Sequence, residues 1–188
     1  MNGHKITNQN HIHFITPTVV GWIDVFTKRR YKDIIINSLT YCVNNKGLSV
    51  HAYVIMSNHL HLVVSAKEGF QLSNIIRDFK RHTSKTIITE ILTNNKESRQ
   101  EWMLKLFKYF AKYNKNNTTY QFWKRDNHPA ELPYNKWIKQ KIDYTHINPV
   151  RAGIVESPED YLFSSAKDYI LLEQGLVPLD MFEEDMYK

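Results

Sequence analysis

Apolar and polar positions change their period along this chain, and the changes mark out its elements. Residues 11–20, "HIHFITPTVV", are rich in β-branched and aromatic side chains and predict a first strand, with Pro17 hinting at an edge or a bulge. In "YKDIIINSLTYCVNNKG" the period lengthens. Ile35, Leu39, Cys42 and Val43 share a helical face, and Asn44, Asn45 and Gly47 mark its exit. "LSVHAYVIM" and "HLHLVVSA" return to strand patterning on either side of Ser57 and Asn58, a short hairpin connection. Residues 72–92 then predict a second helix whose Ile76, Phe79, Thr83 and Ile87 form the inward stripe.

The order β-α-β-β-α is one strand short of a ferredoxin-like unit, and "YQFWKRD", residues 120–126, is the candidate for the missing strand. Residues 94–119 interrupt the pattern. "NNKES" and "NKNNTT" are turn-rich connectors around "RQEWMLKLFKYFAKY", an inserted helix with Trp102, Leu106, Phe110 and Tyr113 at helical spacing, read as a packing stripe. "NKWIKQKIDYTHINP" predicts a helix capped by Asn135 and ending near Asn148, because Pro149 disfavours helical geometry in the residue before it. "EDYLFSSAKDYILLEQGL" predicts a short final helix ahead of an acidic tail, "FEED". The expected fold is α/β (α+β) and ferredoxin-like: a central antiparallel sheet flanked by helices, with an inserted helix and a C-terminal helical extension. A single domain over residues 1–188 suits the length, with 170–188 as its tail.

Composition narrows the setting. No apolar run approaches the roughly 18 residues a spanning helix needs, so no membrane partner is expected. The first residues, "MNGHKITNQNHIHFIT", lack a charged segment followed by an apolar core and a cleavage site, which makes the cytosol the default. One cysteine, Cys42, excludes an internal disulfide and a cysteine-rich zinc site. The net charge of +6 favours a polyanionic partner. Arg77, Arg81 and Lys85, at i, i+4 and i+8, form a basic ridge on the outer face of the second helix, and Lys28, Arg29 and Arg30 cluster just before the first. Either cluster alone also fits an ordinary solvated face.

Chemistry concentrates in "SNHLHLVVS". Strand alternation sends His59 and His61 to one face and Leu60 and Leu62 to the other, with the histidine α-carbons about 6.6 Å apart. Two imidazoles at that separation can lean onto one ion and form half a metal site; they also fit two polar residues on a solvated strand face. In the helix at 135–148, Tyr144 and Asn148 share a face, with Lys141 a turn before. Asn148 offers a hard oxygen donor, which with two imidazoles suits Mg²⁺ or Mn²⁺. A phenol is a weak nucleophile at neutral pH, and a cation such as Lys141 favours its phenolate. The same residues also fit a half-buried aromatic and a helix-ending amide.

"MSNHLHLVVS", followed about 80 residues later by "DYTHINPVRAGIV" and then by "PEDYLFSSA", resembles the single-tyrosine His-hydrophobic-His transposases of small insertion sequences, and among them the REP-associated tyrosine transposase branch. The resemblance runs from about residue 12 to 170. It implies a ferredoxin-like domain in which His59 and His61 bind a divalent metal and Tyr144 becomes linked to the 5′ end of cleaved single-stranded DNA. Asn148 takes the place of the third ligand, where related enzymes commonly use glutamine. Single-stranded or hairpin DNA is the implied partner, with both basic clusters holding its backbone. Relatives act as dimers or monomers, which leaves the oligomeric state open. Two other readings keep the fold: a domesticated hairpin-binding protein without turnover, and a replication-type nicking enzyme. A structural metal site in an unrelated protein is a further one. "HIHF", residues 11–14, also satisfies the histidine pattern; it is read as exposed strand residues.

Overall fold

The computed structural model describes residues 6–113 and 119–182. A four-stranded antiparallel sheet, ordered β2-β3-β1-β4, is built from β1 (His13–Ile15), β2 (Leu48–Ile55), β3 (Leu60–Ala66) and β4 (Ala130–Glu131). The helices are α1 (Arg29–Asn45), α2 (Leu72–Thr93), the inserted α3 (Gln100–Ala111), α4 (Asn135–Arg151) and α5 (Ala166–Ile170). Strand order and the β-α-β-β-α-β sequence together give the ferredoxin-like arrangement. Alternation divides β3 between two cores. Leu60, Leu62 and Val64 join Ile35, Leu39, Phe79 and Ile87 of α1 and α2, while Val63 joins Phe14, Ala52, and Ile138 and Ile142 of α4. Each fully buried Leu, Ile or Phe contributes about 1.5–3 kcal/mol.

Four expectations are corrected. The first strand stops at Ile15: Pro17 has no N–H to give, and the chain continues through single bridges, Thr18 to His59 and Val19 to Trp123. The fourth strand is Ala130–Glu131, paired with His13 and Phe14. Residues 120–126 instead bury Phe122 and Trp123 against Phe26 and Phe107, running beside residues 18–20 through Val20 N to Phe122 O (2.8 Å) and Lys124 N to Thr18 O (2.8 Å). On α3 the packed face is Met103, Phe107 and Ala111, whereas Trp102, Leu106 and Tyr113 are exposed. Helix α4 begins at Asn135, without a side-chain cap, and runs through Pro149 to Arg151. A proline so near the end removes only the donor to the Thr145 carbonyl, and Ala152 N still closes the helix on Asn148 O (2.9 Å).

The residues after α5 pack back on β2. Asp180 N donates to Val50 O (2.9 Å), and Phe182 stacks on His51 at 4.6 Å between centroids, while "FEED" beyond Phe182 lies outside the described residues.

The insertion is stapled to the start of α1 by a buried carboxylate. Glu97 accepts from Lys28 Nζ (3.0 Å), Tyr31 Oη (2.8 Å) and Arg99 Nε (3.0 Å). Burial opposes its charge, but the bonds from Arg99, Tyr31 and Lys28 outweigh burial and hold the carboxyl down, to about 2. A carboxyl depressed on folding stabilises the fold above its unfolded value of about 4.5, and this is lost as pH falls through about 2. Glu97→Gln should therefore lower stability at neutral pH by on the order of 3 kcal/mol, seen as a lower urea midpoint. The gap to the wild type should close between pH 4.5 and 2.

Candidate active site

The β2–β3 hairpin delivers His59 and His61 to the sheet face covered by α4. Their Nε2 atoms stand 3.2 Å apart. His59 Nδ1 lies 2.8 Å from Asn58 Oδ1, and Asn58 cannot be turned round: its Nδ2 donates to Asp24 Oδ1 (2.8 Å) and to the Trp22 carbonyl (3.3 Å). The amide oxygen must therefore face His59, His59 carries its proton on Nδ1, and its Nε2 keeps a bare lone pair. His61 Nδ1 meets Thr16 Oγ1 at 3.2 Å, a hydroxyl that can donate or accept. Burial pushes both imidazoles below the usual histidine range, His61 to about 3 with His59 and Lys141 adding to the effect. Both are neutral at pH 7.

This donor set fits a divalent ion. Two nitrogens bound to one ion at about 2.1 Å lie about 3.0–3.4 Å apart, and each imidazole has its second nitrogen engaged by a neighbouring oxygen. Asn148 is on the same helix face as Tyr144, but its Nδ2 donates to the Tyr144 carbonyl (2.5 Å). The structure thus brings together the two imidazoles and leaves Asn148 tied to its own helix. Among the described residues no group of three His, Cys, Asp or Glu could hold a metal.

Tyr144 lies against the pair in the same chain. Its ring is 5.2 Å from the His61 ring, edge to face, and 5.9 Å from Phe14, which itself stacks on His61 at 5.3 Å. Lys141 Nζ stands 5.3 Å from the Tyr144 ring centroid and 4.6 Å from that of Phe14. Arg151, which sequence reasoning missed, stands 5.8 Å from the Tyr144 ring; its spacing of seven from Tyr144, two helical turns, was the available signal. Helix α4 is held in register from its opposite side. His146, buried and pushed down by burial to about 4, places Nε2 2.8 Å from Ser165 Oγ, which accepts from Tyr53 N of β2 (2.9 Å). Ser165 N donates to Tyr53 O (3.0 Å), and Tyr161 Oη to Ile55 O (2.8 Å), so the "YLFSS" segment locks α4 to the sheet.

The basic clusters fare differently. Lys28 is committed to Glu97, Arg30 to Glu90 (3.1 Å) and Arg29 to Asp33 (3.6 Å). On α2, Arg77 pairs with Asp78 (3.1 Å), Arg81 reaches the same carboxylate (3.3 Å), and Lys85 is exposed. Arg81 and Lys85 line a groove of about 630 Å³ with Lys80, Lys124 and Arg125. Lys124 leads from it towards the histidines, with Nζ 3.9 Å above the ring of Trp22, which meets His59 edge-on at 6.0 Å. In the earlier "HIHF", His13 is buried at 2 % exposure, not exposed, with Nδ1 2.8 Å from His11 O; His11 is exposed and pairs with Glu131 (2.5 Å). Among the described residues no helix is long and apolar enough to cross a membrane.

A solved structure of a REP-associated tyrosine transposase bound to a REP hairpin superposes with a TM-score of 0.66 at 16 % identity, over 98 % of this chain and 92 % of that one, and so shares the fold. No curated protein matches. The family model described as "Transposase IS200 like" matches residues 6–125, nearly two thirds of the sequence and the whole of the sheet but its last strand, and on that match the chain belongs to the IS200-like transposase family.

Proposed function

We propose that this protein is a single-tyrosine transposase that cleaves and rejoins hairpin-bearing single-stranded DNA, with Tyr144 as nucleophile and His59 and His61 as ligands of a divalent metal, Mg²⁺ or Mn²⁺. The observation that carries the reading is the packing of the Tyr144 ring 5.2 Å from His61, whose Nε2 meets that of His59 at 3.2 Å. A structural neighbour bound to a REP hairpin supports the choice of DNA. Asn148 is the proposed third ligand, its side chain turning from the Tyr144 carbonyl to present its oxygen.

The bound ion would supply Lewis-acid stabilisation of the charge that builds on the phosphate. Tyr144 Oη attacks phosphorus, the P–O3′ bond breaks, and the strand is left with a free 3′ hydroxyl and a 5′ phosphate esterified to Tyr144. The phenol's proton leaves to solvent and the departing 3′ oxygen takes one up. One phosphodiester replaces another, so a 3′ hydroxyl can reverse the step and rejoin DNA. Lys141 and Arg151 set two positive charges around the Tyr144 ring, favouring the approach of a phosphate. His146 and Ser165 fix the helix that aims the tyrosine, so positioning is done before substrate arrives. The exposed Arg81 and Lys85, with Lys124 and Arg125, are proposed to hold the DNA backbone, and Lys28, Arg29 and Arg30 to add to the positive field beside it.

The test is direct. Incubation with labelled hairpin DNA carrying a single-stranded flank and Mn²⁺ should give a protein–DNA band that survives denaturation and disappears on protease treatment. Binding without any such band at any metal concentration would identify a DNA-hairpin-binding protein instead.

A further inference from the structure

Trp22 is an expensive residue to place where it is. It is 56 % exposed although large and apolar, and its φ of +55° lies in the left-handed region that bulky side chains avoid. The turn that holds it there begins at Gly21, φ +63°, where a β-carbon would come within 2.7 Å of Phe110 Cε2. Phe110 belongs to α3. The inserted helix therefore backs the turn closely, so that a side chain at this left-handed position would press on the Phe110 ring, and the turn projects Trp22 beside His59. The return from the insertion supplies the rest. Residues 120–124 run along residues 18–20 through Val20 N to Phe122 O and Lys124 N to Thr18 O, which sets Lys124 Nζ 3.9 Å above the Trp22 ring. Lys80 pins this return, donating to the carbonyl of Lys124 (2.7 Å) and to Asn127 Oδ1 (2.6 Å).

We infer that Trp22 and Lys124 form a subsite for single-stranded DNA beside the histidine pair, Trp22 stacking on a nucleobase and Lys124 meeting an adjacent phosphate, and that α3 and residues 120–124 build it. An exposed indole with an ammonium over one face is the combination that takes unpaired bases regardless of sequence, because every base has a π-face and every linkage a charge. A base pair inside a duplex cannot use it, since both its faces are already stacked. The Trp22 carbonyl also accepts from Asn58, the residue that orients His59, so the stacked base and the ligand are tied to one turn. A base held there lies beside His59, whose ring meets that of Trp22 at 6.0 Å, which makes the subsite a positioning element for the flank of the scissile phosphate. This deepens the proposed function and rests on it for the identity of that phosphate.

The inference is tested by binding, in the full chain carrying Tyr144→Phe so that cleavage does not intervene. The probes are a fluorescein-labelled 20-nucleotide single strand of mixed sequence and a blunt hairpin without a flank. Trp22→Ala should weaken single-strand binding about tenfold or more and Trp22→Phe by much less, as expected for loss of one stacked base, while blunt-hairpin binding stays within about twofold. Lys124→Ala should weaken single-strand binding and flatten its salt dependence by roughly one phosphate contact. Photocrosslinking of a 5-iodouracil-substituted strand to the parent chain should map to Trp22, a readout that needs no Trp22 variant to fold. Single-strand affinity unchanged in Trp22→Ala, equal losses on both probes, or crosslinks only elsewhere would overturn the subsite. Absence of a covalent band from the wild type would overturn the transposase chemistry and leave these binding results standing.

Discussion

Tyr144→Phe is expected to abolish the covalent protein–DNA band while leaving hairpin affinity within about twofold of the wild type. The substitution removes one oxygen and nothing else. Its ring contacts to His61 and Phe14, and the two cations around it, do not depend on the hydroxyl, so stability should move by no more than about 0.5 kcal/mol. Tyr161 and Tyr169 cannot stand in: Tyr161 Oη donates to Ile55 O and Tyr169 Oη to His51 O, both bound into the sheet. The loss should therefore be to background. Denaturing gels with labelled hairpin and Mn²⁺ check it alongside an anisotropy titration of the same hairpin. An adduct at normal yield from the variant would place the nucleophile elsewhere and end the assignment of Tyr144.

Much of this site was legible in the chain because its logic is periodic. A spacing of two on a strand puts His59 and His61 on one face, and a spacing of four on a helix puts Tyr144 and Asn148 together. What periodicity does not carry is partner choice. Helix α3 has apolar residues nearly all round, Trp102, Met103, Leu104, Leu106, Phe107 and Phe110, so two stripes compete and only tertiary contact decides that Met103 and Phe107 go inside. The strand-like "YQFWKRD" lost its place in the sheet to two residues, Ala130 and Glu131, that carry no strand signal. Its aromatic rings pack instead on Phe26 and Phe107, leaving β1 free to pair with β4. Pro149 was read by its local preference, which matters little in a final turn. That Lys28 and Arg30 are paired with carboxylates was not legible, because Glu97 and Glu90 lie 69 and 60 residues downstream of them. Trp22 gave no warning at all. Only the close approach of Phe110 to Gly21 shows that its exposure is built.

His59→Ala should lower adduct formation by at least about 10³-fold, the equivalent of several kcal/mol of lost charge stabilisation in the transition state. It is the cleaner of the two ligand deletions. His61 is 5 % exposed and stacked on Phe14 beneath Tyr144, so removing it also opens a gap under the nucleophile and confuses packing with chemistry. His59 is half-buried and contacts Trp22 and His61 at its edges, so its loss spares the core. The variant should fold with a near-normal melting temperature and should fail to gain stability on Mn²⁺ addition. The wild type should gain it, by about 2.7 kcal/mol at a hundred times the dissociation constant. Asn58→Ala should fall between the two, losing about 10–100-fold in Mn²⁺ affinity because His59 is then free to protonate the wrong nitrogen. The rival histidine is His11, already paired with Glu131 at the sheet edge. His11→Ala should leave both readouts unchanged. If instead Mn²⁺ stabilisation survives His59→Ala and vanishes with His11→Ala, the ion is held at the wrong end of β1 and the neutral pair beneath Tyr144 is only a polar seam between sheet and helix.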